Sequence, residues 1–286
     1  MRISIREKDL YAELKGIGYD SLDVKFPLWD ARDFILSDEI DRVFSEKYEK
    51  IREAGLSVCQ THLTYYPGHL PPLGDGSYEA FSDYMLPIFE KEIKMTAKMH
   101  CPIAVIHLYF EETREESQRK NLDLLAKLLP IAKEAGVTLA IENLYGKGCS
   151  DIYLTTAEDL LYYTEHFSDA HIGVCLDTGH AVARGQNPTE MLKALGRRVK
   201  ALHAHSNVKG YDLHLPPCFT SALDFKAFAD ALTEIGYEGT FNMEIAPPAQ
   251  LNRVATVAYY TMVYEMASAL FDTKAEWIIK NKRTFL

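Results

Sequence analysis

Nine side chains able to bind a metal ion or move a proton stand at, or just beyond, the ends of short apolar runs. They are His62, His107, Glu142, Asp177, His180, His203, Asp212, His214 and Glu244. A mixed set of imidazoles and carboxylates suits Zn²⁺, Mn²⁺ or Fe²⁺ better than Mg²⁺ alone. Five histidines and four carboxylates exceed what a single ion can take. Bridging carboxylates would let roughly one to three ions share them. Such ions polarise carbonyl or phosphoryl oxygens, and adjacent carboxylates can carry protons. Taken singly, a strand-end histidine is more often a hydrogen-bonded structural residue, and Glu142 or Glu244 alone could be an ion-pair partner. The series favours a ligand role because six consecutive apolar runs each deliver such a residue: His62, His107, Glu142, Asp177, His203 and Glu244.

The runs that must position these residues are eight: RISI (2–5), SLDVKF (21–26), SVCQTHL (57–63), IAVIHLY (103–109), TLAIENL (138–144), IGVCLD (172–177), VKALHAH (199–205) and TFNMEI (240–245). They are rich in Val, Ile, Leu, Phe and Thr, as buried parallel strands are. Four share one grammar, a helix end, a glycine and then the run: KGIGYDSLDVKF, EAGLSVCQTHL, EAGVTLAIENL and EIGYEGTFNMEI. Glycine accepts the left-handed conformation that closes a helix. Between the runs lie helical patterns. ESQRKNLDLLAKLLPIAKEAG (116–136) repeats apolar residues at three and four, with Pro130 expected to kink it. TTAEDLLYYTEHF opens on Thr155 or Thr156 as N-cap. Eightfold βα alternation over 286 residues predicts an α/β fold, a (β/α)8 TIM barrel forming a single domain, 1–286. A doubly wound sheet is the alternative, but no glycine-rich dinucleotide fingerprint follows the first run. In a barrel the carboxyl ends of the strands converge on one mouth, where active sites are built.

The remaining features bound the function. A net charge of -10 argues against nucleic acid as a partner. No apolar leader and no long apolar span occur, and Cys59, Cys101, Cys149, Cys175 and Cys218 form no C-x-x-C pair. The expectation is a cytoplasmic protein with reduced thiols, no membrane segment and a small-molecule substrate. Homo-oligomerisation is left open. Aromatic residues gather near the same strand ends: Phe26, Trp29, Tyr65, Tyr66, Tyr109, Phe110 and Tyr145. Aromatic faces stack on sugar C–H faces, whereas Phe26 and Phe110 suit an apolar plug. Trp29, Tyr65, Tyr109, His180 and Lys147 are the candidate substrate-binding residues. Lys147, Arg184 and Lys209 could hold a phosphate or other anion, although a solvated charge suits each of them singly. His69, His100, His166 and His171 read as surface or capping residues, and Cys175 as packing. His205 is expected on the face of its strand opposite His203, as a group behind the ligands.

AIENL, CLDTGH, LHAHSNVKGYDLHLPP and NMEI together resemble the xylose isomerase-like barrel superfamily, which holds sugar isomerases and epimerases and also the endonuclease IV group. The resemblance covers nearly the whole chain and is densest over 136–245. For the isomerases and epimerases it implies one divalent metal on Glu142, Asp177, His203 and Glu244. The two glutamates would then pass a proton between neighbouring carbons of a sugar, sugar phosphate or polyol ketone. For the endonuclease IV group it implies a three-zinc cluster that adds His62, His107, His180, Asp212 and His214. RISI lacks the Gly-x-His start of that group, HSNVKG stands where it has an Asn-Asp-Ser type of segment, and LPPCFTSALDF lacks its Gly-x-Gly. The segment between His180 and His203 is also short. A divalent-metal-dependent isomerase or epimerase is therefore the expected activity, with Zn²⁺ favoured and Mn²⁺ second. An inositol-type dehydratase shares its first step. A zinc-dependent phosphodiesterase and a non-catalytic metal-binding sensor are the alternatives.

Overall fold

The computed structural model describes residues 1–66, 74, 76–111, 113–145 and 153–273. The expected barrel forms. Its strands are β1 Arg2–Arg6, β2 Ser21–Lys25, β3 Ser57–His62, β4 Ile103–Ile106, β5 Thr138–Glu142, β6 Ile172–Asp177, β7 Val199–His203 and β8 Thr240–Met243. All paired neighbours are parallel, in the order β7-β6-β5-β4-β3-β2-β1-β8. The two end strands meet through a single bridge, Ala204 to Met243, with the Ala204 amide donating to the Asn242 carbonyl at 2.8 Å. Several strands stop earlier than their apolar runs, so His107 and Glu244 fall just past the last paired residue of β4 and β8.

The helices fill the outer layer. They are α1 Tyr11–Ile17, α2 Arg32–Leu36, α3 Asp38–Glu53, α4 Tyr78–Lys98, α5 Arg114–Ala135, α6 Ala157–Phe167, α7 Thr178–Ala183, α8 Pro188–Leu195, α9 Phe225–Glu234 and α10 Arg253–Phe271. Gly136 closes α5 in the left-handed conformation at φ 69°. Pro130 lies inside α5, which continues to Ala135, so the proline does not end the helix. Pro87 sits inside α4 in the same way. Thr156, not Thr155, caps α6: its hydroxyl accepts from the Asp159 amide, and Asp159 answers in a reciprocal capping box.

The barrel interior is layered, and the period of two along each strand explains how. On β4 to β7 the inward residues Val105, Ala140, Cys175 and Ala201 form one small apolar cluster. Two residues further along stand His107, Glu142, Asp177 and His203. The other four strands place a polar layer at the same depth. Ser4 Oγ lies 3.0 Å from Asn242 Oδ1, and Asp23 Oδ2 accepts from Asn242 Nδ2 at 3.1 Å and from Gln60 Nε2 at 3.4 Å. Two residues beyond these come Arg6, Glu244, Lys25 and His62. One ring of eight chemically active side chains thus crowns a ring that is half apolar and half hydrogen-bonded.

Candidate active site

Glu142 stands at the centre of the mouth. Its Oε2 lies 3.0 Å from His107 Nε2 and 3.3 Å from His62 Nε2. Its Oε1 lies 3.1 Å from His203 Nδ1 and 3.3 Å from His180 Nδ1. His203 Nδ1 also approaches Glu244 Oε2 at 3.2 Å and Asp177 Oδ2 at 3.8 Å. One ligand atom from each of Glu142, Asp177, His203 and Glu244 lies within 4.8 Å of the others, and all four residues are buried. Sequence reasoning grouped these four, and the fold brings them together.

Backbone carbonyls fix which nitrogen each histidine turns inward. The Nδ1–H of His62 donates to the Leu63 carbonyl at 2.9 Å, that of His180 to Asn143 at 2.9 Å and that of His214 to Glu244 at 2.8 Å. Each Nε2 then faces the mouth or its rim. His203 is reversed: Nδ1 faces the carboxylates, while Nε2 lies 3.5 Å from Asp23 Oδ2.

A second cluster rises at the rim. His180 Nε2 lies 3.5 Å and His214 Nε2 3.2 Å from Asp212 Oδ2. His205 joins Asp212 and His214 in a triad able to hold an ion, and its ring stacks on His214 at 4.3 Å. This corrects the expectation for His205. Positions 203 and 205 share a face by the period of two, and the fully buried His205 turns Nε2 onto Asp177 at 3.1 and 3.2 Å. The neighbouring segment Thr178-Gly179-His180 is the first turn of α7, capped by Asp177, whose Oδ1 accepts from the His180 amide at 2.6 Å. Gly179 is required here by close approach, because a Cβ on it would meet the His205 ring at 1.8 Å.

The charges hold one another in place. Burial opposes the charge on Glu142, but the imidazoles of His203 and His107 outweigh it and keep the carboxyl well below its usual range. Glu244 is likewise pulled down against burial, by His203 and Arg6. Burial disfavours a charge on His180 and His203 too. Asp177 foremost overcomes it at His180, and the carboxylates of Glu142 and Glu244 do so at His203, so both titrate well above the ordinary range. His107 moves down, because burial prevails over Glu142. Three carboxylates packed this closely require compensating positive charge. Glu142 Oε1 and both ring nitrogens of His203 make no hydrogen bond despite full burial. Convergent, unsatisfied donor atoms of this composition fit a divalent cation.

The sequence reading missed four participants. Arg6, at the end of β1, pairs with Glu244 Oε1. Asp23 lies behind His203. Lys25 places its ammonium 4.7 Å over the Tyr65 ring. Asn143 ties the ends of β5 and β6, its Oδ1 accepting from the Asp177 amide at 2.8 Å and its Nδ2 donating to the Asp177 carbonyl at 2.9 Å. The signal that locates Arg6 and Lys25 is the strand-end rule already applied to the other six strands.

Among the candidate substrate contacts, Tyr65 packs 4.7 Å from the His107 ring and 5.8 Å from that of His62, and Trp29 meets Tyr66 edge-on at 4.8 Å. The Tyr109 ring packs on Phe81 at 4.5 Å and Tyr78 at 5.6 Å, so it serves the contact with α4. Phe26 is buried and stacked on Phe44 at 4.8 Å, a plug as expected. Lys147, His69 and Cys149 lie outside the described residues. The loop that carries Tyr65 is anchored from below by Glu92, whose carboxyl meets the Thr64 amide at 2.8 Å and the Thr64 hydroxyl at 2.6 Å. That hydroxyl also lies 2.7 Å from the Pro27 carbonyl. Its single hydrogen cannot serve both, and a protonated Glu92 satisfies every atom.

A family described as xylose isomerase-like TIM barrel matches residues 11–258. Inosose isomerase of Bacillus subtilis is 25% identical over 155 residues, 52% of this chain and 54% of that protein. The chain spans about half the length of the curated relatives it matches. Among solved structures, the 3-keto-D-glucoside 4-epimerase of E. coli superposes with a TM-score of 0.71 at 17% identity, covering 94% of this chain and 99% of that one. The IolI protein with a bound zinc atom gives 0.68 at 18%, covering 94% and 97%. No helix among the described residues is long and apolar enough to cross a membrane.

Proposed function

The chain belongs to the xylose isomerase-like TIM barrel family, and from that premise we propose that its mouth is the active site of a divalent-metal-dependent isomerase or epimerase. The substrate class is a sugar, sugar phosphate or related polyol ketone. The observation that carries the reading is the buried set Glu142, Asp177, His203 and Glu244, in which Glu142 Oε1 and His203 Nδ1 face each other without a hydrogen bond. These four would hold the ion, and zinc is favoured by the zinc-bound relative. A bound divalent cation supplies Lewis-acid polarisation of a carbonyl and stabilises negative charge developing beside it.

The protein's own groups do the rest. Glu142 and Glu244 are the proton carriers, one removing a proton from the carbon beside the carbonyl and the other returning it. Return to the neighbouring carbon isomerises, and return to the opposite face of the same carbon epimerises. Arg6 pins Glu244 Oε1 and favours its ionised state, leaving Oε2 for the mouth. Tyr65 and Trp29 offer ring surfaces at the entrance, and His180 presents Nε2 to a substrate hydroxyl. The test is turnover of a panel of ketoses and inososes by metal-loaded protein. Glu142→Gln and Glu244→Gln should each lower kcat by about 10²–10⁴-fold or more, and full activity in either variant removes the assigned roles.

A second reading rests on the additional ligands. His62 and His107 converge on Glu142 Oε2, and His180, His214 and Asp212 cluster beside it, an arrangement that supports more than one ion and hence a zinc-dependent phosphodiesterase. Three ions by elemental analysis, with chelator-sensitive cleavage of an abasic duplex, would replace the isomerase reading. One ion with ketose turnover would retain it.

A further inference from the structure

The opposite end of the barrel holds a cavity of about 510 Å³ that the proposed reaction does not use. Its walls come from the starts of β1, β3, β7 and β8, the amino-terminal face of the strands. Arg2, Arg197 and Lys200 line it, against one lining carboxylate, Glu238. On a chain of net charge -10, a local surplus of cations goes against the overall field. Among the described residues none of these three cationic heads forms an ion pair, whereas the adjacent Arg198 pairs with Glu165 at 3.1 Å.

The local architecture delivers groups to this cavity. The β6–β7 register skips Lys200 and the β2–β3 register skips Cys59. An extra residue of this kind leaves the ladder and is re-aimed at the barrel rim, and both bulged residues line the cavity. Gly173 on β6 leaves the slot in which the Lys200 stem lies, since a Cβ there would come within 2.3 Å of Lys200 Cγ. The Tyr237 hydroxyl lies 3.2 Å from the Thr240 carbonyl and 3.5 Å from that of Lys200, bridging the starts of β8 and β7 beside the cavity. Val58, Ile103 and Ile235 add apolar wall. Unpaired cations, a hydroxyl and apolar surface around a space of this size match an organic anion rather than a bare ion.

We propose that the amino-terminal face of the barrel is a second binding site, for a small phosphorylated molecule whose phosphoryl group is held by Arg197, Lys200 and Arg2. The test is calorimetric titration of the metal-loaded protein with glycerol 3-phosphate and with inorganic phosphate, at low ionic strength. Both probes should bind, the ester more tightly because its carbon body meets the apolar wall. Arg197→Gln and Lys200→Gln should each raise Kd at least about tenfold, and Glu238→Gln should lower it. Phosphate held through an ion at the mouth is released by chelator, and the lower site is kept. Urea unfolding of each variant separates lost binding from lost folding, and the exposed Arg197 carries the test alone if Lys200→Gln unfolds. Absence of binding to the wild-type protein overturns the proposal, as does undiminished binding to both Arg197→Gln and Lys200→Gln.

Discussion

Alanine at position 179 has no room for its methyl group. A Cβ built there lies 1.8 Å from Cε1 of His205, and 2.3 and 2.4 Å from its Nδ1 and Nε2. Ordinary contact begins at 3.4 Å, so the ring must retreat by about 1.6 Å. The ring is fully buried, and it is tied to Asp177 at 3.1 and 3.2 Å. A retreat of that size takes the bond beyond hydrogen-bond range. Losing a hydrogen bond to a charged group costs about 1.5–3 kcal/mol, and forcing an extra carbon into a packed interior costs about 1–3 kcal/mol. Strain is relieved partly by breaking the bond, so the two overlap, and Gly179→Ala should destabilise by roughly 2–4 kcal/mol. Because His205 orients Asp177, affinity for a divalent ion should also fall about 10–100-fold. Urea unfolding and metal titration of purified variant and parent measure both. An unchanged unfolding midpoint together with an ion affinity within about twofold of the parent would falsify the close-approach argument.

Three further outcomes follow from the same geometry. Burial pushes Glu92 up to about 8 against the Thr64 donors, from an unfolded value of 4.5. With the folded value raised, its contribution is complete below the unfolded value, shrinks as pH rises, and is gone above the folded one. Glu92→Gln should therefore gain on the parent in urea melts between pH 5 and about 9, and parallel curves for the two proteins would refute a buried neutral carboxyl. Arg6→Met removes a cation that holds Glu244 down, so the acid limb of the kcat/KM profile should move to higher pH; a stationary limb would show that Arg6 does not tune Glu244. Chelator should lower the Tm and added Zn²⁺ restore it, by an amount set by about 2.7 kcal/mol at a hundredfold excess over Kd, and identical melting with and without metal would contradict the fit of the four-residue set.

Much of the framework is legible in the chain because two periodicities dominate it. Apolar runs separated by helical patterns name the eight strands, and IGVCLD matches β6 residue for residue. Ligand types at strand ends are conspicuous because an apolar run has no packing reason to finish in His or Glu. Arg6 escapes the same logic because it opens the charged string Arg6-Glu7-Lys8 and looks solvated. Asp23 sits between Leu22 and Val24 inside a run, and only the closed barrel, which places β2 across from β7, gives it His203 as a neighbour. Tyr109 shows the converse: proximity in sequence to a strand end does not fix where a ring turns, and α4 captured it. Strand lengths were overread because apolar composition continues past the last hydrogen-bonded pair.

The single bridge between β7 and β8 sets how the barrel would respond to a bound ion. Every other junction is a ladder of at least two partner pairs, whereas this seam has Ala204 to Met243 alone. His203 is the residue before Ala204 and Glu244 is the residue after Met243. An ion shared by His203 and Glu244 would lie across the seam as a rivet, joining the two chain segments that the backbone joins least. Hydrogen exchange of the Ala204 amide would then read metal occupancy directly, slow when the rivet is in place and fast when it is withdrawn.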